Sequence, residues 1–298
     1  MNLEVLESSV PVRARVADYA RLAKPELTLL SVMTALGGAF LASQGSVPYF
    51  GMLHTFVGTL LVGGGAGTLN QIVERKDDAL MKRTEHRPLP AGRLSYRQAA
   101  AYGAVLSTLG VVYLALSTNV LAAFLAVATL VTYVALYTPL KKITPFATVI
   151  GGIPGALPPM IGWAVVRGEI TIEAYALFAI IFFWQMPHFL SLAWVYRRDY
   201  ARAGYRTLTV IDRDGSATGR QILFYSIALL PATVLPTYVG LTGVTFFIGG
   251  FIVAIAFLSV ALRFFSAHTA VNARRIFYAS LCYLPLLALL IVLDRMLR

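Results

Sequence analysis

The sequence predicts an all-α integral membrane protein, nine transmembrane helices around a central cavity with the N-terminus in the cytoplasm, and three observations carry that prediction. Of its 298 residues 58% are hydrophobic and only 13% charged, and the mean hydropathy is +0.72. Windows of roughly 20 apolar residues, the length that crosses a bilayer core, recur nine times: Leu27–Ala42, Tyr49–Ile72, Ala99–Leu116, Val120–Tyr137, Phe146–Val166, Ile172–Val195, Ile222–Gly240, Val244–Phe265 and Ile276–Leu293. Of the 25 Lys and Arg, all but Arg167, Arg295 and Arg298 fall in segments on one side of those windows, which the positive-inside rule makes the cytoplasmic side.

The same topology explains the net charge of +11 as orientation in a lipid bilayer, so no nucleic acid is expected as a partner. Cys282 is the single cysteine and lies in the ninth window, which excludes an intrachain disulfide or a thiolate metal site. The first twenty residues contain Glu4, Glu7 and Asp18 and no apolar core, against a cleaved signal or an organellar transit peptide. The expected address is the inner (plasma) membrane of a bacterium or archaeon, multi-pass, with the active site facing the cytoplasm. Residues 1–24 are expected as a cytoplasmic N-terminal segment and 25–298 as one polytopic domain.

Before the first window, ARLAKPE brings Pro25 as a helix-start signal. Arg21 reads as an interfacial anchor, while Lys24 stands close enough to reach a cytoplasmic pocket. The second window carries Gly63, Gly64, Gly65 and Gly67, a packing seam rather than a phosphate loop because it lies inside an apolar span. After it, HRPLPAGRLS with Pro88, Pro90 and Gly92 breaks the helix. Windows three and four hold almost no ionisable groups and read as scaffold. The fifth carries Gly151, Gly152, Pro154, Gly155, Pro158 and Pro159, so an irregular helix lining the cavity is expected, its freed backbone groups facing protein. Windows seven to nine bring few polar groups, and Arg274 and Arg275 read as orientation signals.

The chemistry concentrates in the run GGGAGTLNQIVERKDDALMKRTEHRPLPAG, residues 63–92. Asn70, Glu74 and Asp78 recur at i, i+4 and i+8, which places all three on one helix face in a column roughly 12 Å long. Two carboxylates and an amide suit a hard cation such as Mg²⁺ completed by phosphate oxygens, and Arg75, Lys76, Lys82, Arg83 and Arg87 supply matching positive charge. The charge pattern alone reads equally well as a solvated interfacial loop with basic anchors. Asn70 tilts the balance, since an unpaired amide that deep is costly.

Two further segments add candidates. Lys141 and Lys142, between two X-Pro steps, read either as diphosphate ligands or as lysines snorkelling to headgroups. His188 lies inside the sixth window among Trp184, Phe189 and Trp194 and reads either as a substrate contact or as a hydrogen-bonded core residue. Asp199 follows with Arg197, Arg198, Arg202 and Arg206. Two charged clusters on one side, after windows two and six, suggest a twofold pseudo-repeat facing one cavity.

These residues carry a resemblance covering nearly the whole chain. Asn70-x-x-x-Glu74-x-x-x-Asp78, the run from Asp78 to Pro90, Tyr137-Thr-Pro-Leu-Lys-Lys-x-Thr-Pro, Gly-Ala-x-Pro-Pro-x-Ile-Gly-Trp163, Pro187-His188-Phe189 and Asp199-Tyr-x-x-Ala-Gly resemble the UbiA superfamily of intramembrane prenyltransferases. Within it they are most similar to the protoheme IX farnesyltransferase (heme O synthase) family. The resemblance implies transfer of a farnesyl group from farnesyl diphosphate to a vinyl group of protoheme IX, with water adding a hydroxyl, to give heme O. It implies Mg²⁺ as cofactor on Asn70, Glu74 and Asp78, with Asp199 beside them as a catalytic residue. Lys24, Arg75, Lys82, Arg83, Arg87, Lys141, Lys142, His188, Tyr196, Arg198 and Tyr200 are the implied substrate-binding residues. The second acidic motif of the superfamily aligns with Tyr196 and Tyr200, leaving Asp199 alone. An association with heme A synthase or a terminal oxidase assembly is left unspecified. The competing readings are a prenyltransferase of an aromatic acid or quinone precursor and, from another class, a polytopic transporter.

Overall fold

The computed structural model describes residues 12–43 and 47–298, and among them nine helices are long and apolar enough to cross a membrane. Glu4 and Glu7 lie outside the described residues. A short helix α1 (Val12–Leu22) precedes α2 (Pro25–Ala42), α3 (Tyr49–Asp78), α4 (Tyr96–Ser117) and α5 (Val120–Leu130). A π-helical segment, Val131–Tyr137, and the turn Thr138–Leu140 continue α5. Then come α6 (Ala147–Ala156), α7 (Pro158–Arg167) and α8 (Ile172–Val195), the short α9 (Arg197–Arg202) and α10 (Leu208–Ile211), and finally α11 (Ser216–Tyr238), α12 (Val244–Ser266) and α13 (Ala270–Leu297).

The expected windows hold, with instructive differences at their ends. Helix α3 runs past Ile72 to Asp78, carrying the polar column as one continuous helix into the basic end of the bundle. The fifth window is two helices. Pro158 and Pro159 bring no amide hydrogens, so the chain breaks at Leu157 between α6 and α7. Gln185 on α8 donates to the Gly152 carbonyl at 2.7 Å inside that irregular stretch. Helices α11 and α13 begin six residues before their windows, at Ser216 and Ala270.

Packing follows the small residues. A Cβ on Gly162 of α7 would stand 1.8 Å from the Ala35 carbonyl oxygen, and one on Gly38 of α2 2.0 Å from that of Pro159, so α2 and α7 touch backbone to backbone. The glycine run of α3 is the seam its sequence predicts. Gly63 meets Thr28, Gly64 and Gly67 meet Ala23 and Lys24, and Gly65 packs on Ser107 of α4. One apolar core joins α8, α11, α12 and α13 around Trp184, Ile222, Phe246, Phe257 and Tyr283. A second joins α3, α4, α5, α7 and α8 around Leu114, Ala126, Ile161 and Trp163. The apolar side chains left exposed on α2, α12 and α13, among them Met33, Ile252 and Leu289, face outward, as a bilayer requires.

Candidate active site

The column on α3 is buried: Asn70, Glu74 and Asp78 are 0%, 5% and 1% exposed. All three turn inward, and each oxygen-bearing group meets a partner from another segment. Lys24 Nζ donates to Asn70 Oδ1. The Asn70 amide nitrogen donates to Thr138 Oγ1 at 2.9 Å. Lys141 reaches Glu74 Oε1 at 2.5 Å, and Arg87 reaches Asp78 Oδ2 at 2.7 Å. Asp77, absent from the expected set, pairs with Lys142 at 2.6 Å. Asp78 Oδ1 is buried with no hydrogen-bond donor. Oxygens of two carboxylates and an amide on one face form a hard-cation donor set, and the unpartnered Asp78 oxygen is an acceptor that such a cation satisfies. No three His, Cys, Asp or Glu converge among the described residues, so Asn70 and a ligand's own oxygens are needed to complete the shell.

Local backbone devices put the cations there. Lys24 closes the α1–α2 corner in the left-handed region, φ 48° and ψ 62°, the sole non-glycine residue with positive φ among those described. That conformation costs about 1–2 kcal/mol for a residue with a Cβ. Gly67 accommodates it, since a Cβ there would lie 3.3 Å from Lys24 Cβ and 3.2 Å from the Ala23 carbonyl oxygen. Gln71 Nε2 pins the same corner from α3, donating to the Arg21 and Leu22 carbonyls at 3.0 Å each.

The π segment does the equivalent for the other lysine. Pro139 has no amide hydrogen to offer, and the wider turn before it brings Thr138 Oγ1 to the Tyr133 carbonyl at 2.7 Å while accepting from Asn70. Tyr133 and Tyr137 stack at 5.7 Å, and Lys141 Nζ lies 4.4 Å over the Tyr137 ring. The scaffold expectation for the fourth window is thereby corrected: its C-terminal turns build one wall of the site. The cue missed in the sequence was Thr138-Pro139, a hydroxyl placed before a break.

Charge states follow from these surroundings. Burial pulls the Lys24 ammonium down to about 7, with Glu74 opposing. Burial also works against Lys141, but Glu74, Tyr137 and Tyr133 more than offset it and hold its ammonium well above the usual lysine range. Burial pushes the Tyr205 phenol up.

The second charged cluster folds onto the first. Arg83 stacks over Tyr196 at 5.1 Å and donates to the Tyr200 hydroxyl at 3.4 Å. Met81 packs with Ala203 and Tyr205, and the Arg206 amide donates to the Lys141 carbonyl at 2.8 Å. Asp199 pairs with Arg202.

Four expected residues stand apart. Arg75 turns back to the Ile72 carbonyl and stacks on Tyr96 at 5.0 Å. It sits one position past Glu74, on a different face of the helix. Lys82 and Arg198 are exposed to solvent. His188 bonds Ser280 Oγ through Nδ1 at 2.7 Å. Lys141 and Lys142 each pair with a carboxylate of α3, Glu74 and Asp77.

The arrangement is a cluster of buried oxygens with cations that can exchange a carboxylate for another anion. Compared with known proteins, residues 31–287 match the UbiA prenyltransferase family. The chain belongs to that family. Its UbiA architecture is similar to a digeranylgeranylglyceryl phosphate synthase structure at TM-score 0.78 and 17% identity, covering 94% of this chain and 98% of that one. It is also similar to a UbiA homolog from Archaeoglobus fulgidus described as bound to GPP and Mg²⁺, at TM-score 0.69 and 15% identity, over 92% and 99% of the two chains. In sequence it is 44% identical to the protoheme IX farnesyltransferase of Koribacter versatilis over 95% of each chain. Membership sets the transporter reading aside and fits a multi-pass membrane enzyme that transfers a prenyl group.

Proposed function

We propose that this chain transfers a farnesyl group from farnesyl diphosphate to a vinyl group of protoheme IX, giving heme O. The observation that carries the reading is the ring of four cations, Lys24, Arg87, Lys141 and Lys142, held on Asn70, Glu74, Asp78 and Asp77. They belong to a UbiA-family chain 44% identical over almost its whole length to a protoheme IX farnesyltransferase.

In the reaction, the bond between C1 of the farnesyl group and the diphosphate oxygen breaks, and its electron pair leaves on diphosphate. The vinyl π pair forms the new carbon–carbon bond, and water adds at the other vinyl carbon and loses a proton. Asn70, Glu74 and Asp78 are the residues that would hold Mg²⁺, which when bound supplies Lewis-acid stabilisation of the leaving charge. Lys141 and Arg87 release their carboxylate partners, and Lys24 the Asn70 amide oxygen, to meet diphosphate oxygens, with Arg83 and Lys142 at the rim. Such preorganised charge is worth most where water is excluded. The half-buried rings of Tyr133 and Tyr137 line a wall poor in water, which protects an allylic cation from early hydrolysis. Tyr196 and Tyr200 hold the second loop over the first through Arg83, and Asp199 pairs with Arg202 inside its own loop. Arg75, Lys82 and Arg198 have no role in this account.

Residues 25–298 act as one domain, and the basic end of the bundle, with the site, faces the cytoplasm of an inner membrane. The test incubates membranes carrying the chain with farnesyl diphosphate, Mg²⁺ and either protoheme or 4-hydroxybenzoate. A more hydrophobic heme on chromatography is expected. Prenylation of the aromatic acid and not of heme would overturn the assignment.

A further inference from the structure

His188 has a geometry the diphosphate chemistry does not use. Its Nδ1 lies 2.7 Å from Ser280 Oγ, and Ser280 Oγ lies 2.5 Å from the Phe277 carbonyl oxygen. A carbonyl only accepts, so the single serine proton goes to Phe277. The serine oxygen therefore accepts from His188, which fixes the proton on Nδ1 and leaves a lone pair on Nε2. No described residue bonds that nitrogen, and it is not among the sealed polar atoms.

The ring is held as firmly as its tautomer. Trp184 stacks on it at 5.2 Å and 22°, and Phe277 lies on it at 5.0 Å and 30°. Trp184 Nε1 donates to the Ser280 carbonyl at 2.9 Å, so one indole braces both the imidazole and its partner. A histidine oriented through Nδ1 by an oxygen acceptor, with Nε2 bare, is the arrangement of a metal-ligating imidazole. Depth agrees with the reaction. His188 stands seven residues, about 10 Å, before the end of α8, and Asn70 eight residues, about 12 Å, before the end of α3. Arg83 over Tyr196 joins those two helix ends.

Resting on the protoheme reading above, we propose that His188 Nε2 is an axial ligand to the iron of the heme substrate, with Ser280 as its positioning residue. Ligation fixes the porphyrin in the plane normal to the imidazole and sets which edge is presented at the depth of the diphosphate site. This reading also gives Phe189 a use, since its ring is tilted 66° from the imidazole, towards the plane of a porphyrin normal to it.

The full chain in lipid nanodiscs is titrated with protoheme, and the ferrous complex is read by resonance Raman for an iron–histidine stretch. The wild type shows the band. His188→Gly loses it and binds protoheme at least about 10-fold more weakly, and added imidazole restores the band. Ser280→Ala, which keeps the ligand, binds about 10-fold more weakly with a lowered stretching frequency. It serves as the probe where the glycine variant does not fold. A band unchanged by His188→Gly, or a frequency unmoved by Ser280→Ala, overturns the proposal. Heme O formation on the same preparations separates the two readings. A wild type that makes no heme O sinks the assigned function, whereas one that makes it with a spectrum indifferent to His188 and Ser280 sinks only the ligation.

Discussion

Lys141 and Glu74 form the pair on which the site is most exposed to test. Their atoms are 2.5 Å apart, with side-chain exposures of 16% and 7%, so removing one partner strands a charge away from water. Lys141→Met is expected to destabilise the ligand-free protein by about 3–5 kcal/mol, the cost of an uncompensated buried charge. The double variant Lys141→Met with Glu74→Gln removes both charges at near-constant volume, and its stability is expected to return to within about 1 kcal/mol of wild type, because neutral replacement of a buried pair is often neutral. Activity follows a different course. Both variants lose a cation aimed at the leaving group, worth about 10²–10³ in kcat where one electrostatic donor is removed, and the double variant loses a metal-holding carboxylate as well. Unfolding in mixed micelles and heme O formation under saturating substrates read the two quantities separately. If Lys141→Met is as stable as wild type, or if the double variant recovers activity along with stability, the reasoning about this pair is wrong.

Other outcomes are expected on the same basis. Thr138→Val takes the acceptor from a buried Asn70 amide and should cost about 1–3 kcal/mol in the same unfolding assay. Gly162→Ala drives a methyl to 1.8 Å from a backbone carbonyl of α2 and should cost about 3 kcal/mol, the upper end for overpacking, whereas Gly92→Ala has open space and only a φ of +69° against it, about 1 kcal/mol. Asp199→Asn breaks a pair whose Arg202 is 46% exposed and should change stability by less than about 1 kcal/mol. The lowered Lys24 value gives a pH test. Between about 7 and 10.5 the unfolded chain holds a proton there that the folded chain has released, so ligand-free stability rises with pH across that window. Lys24→Met should flatten that slope, and a slope unchanged by the substitution removes the assigned cause.

Much of this protein is legible in its sequence. Nine windows, the side chosen by the bases and the i, i+4, i+8 spacing of Asn70, Glu74 and Asp78 are one-dimensional signals. They follow from bilayer thickness, loop charge and helical pitch, and the structure keeps the nine spans and the one-face column. The same periodicity separates Arg75 from Glu74, which a count of nearby bases ignores.

What the tertiary structure alone decided is partnership. Which acid meets which base depends on the left-handed corner at Lys24 and on the π turn before Pro139, and neither leaves a periodic trace. Asp77 was hidden beside Asp78 because its partner, Lys142, lies 65 positions away. The tautomer of His188 rests on a serine 92 residues distant. Local pattern sets the elements because pitch and hydrophobicity act along the chain. The site is set by contacts between segments, and those exist only once the helices have packed.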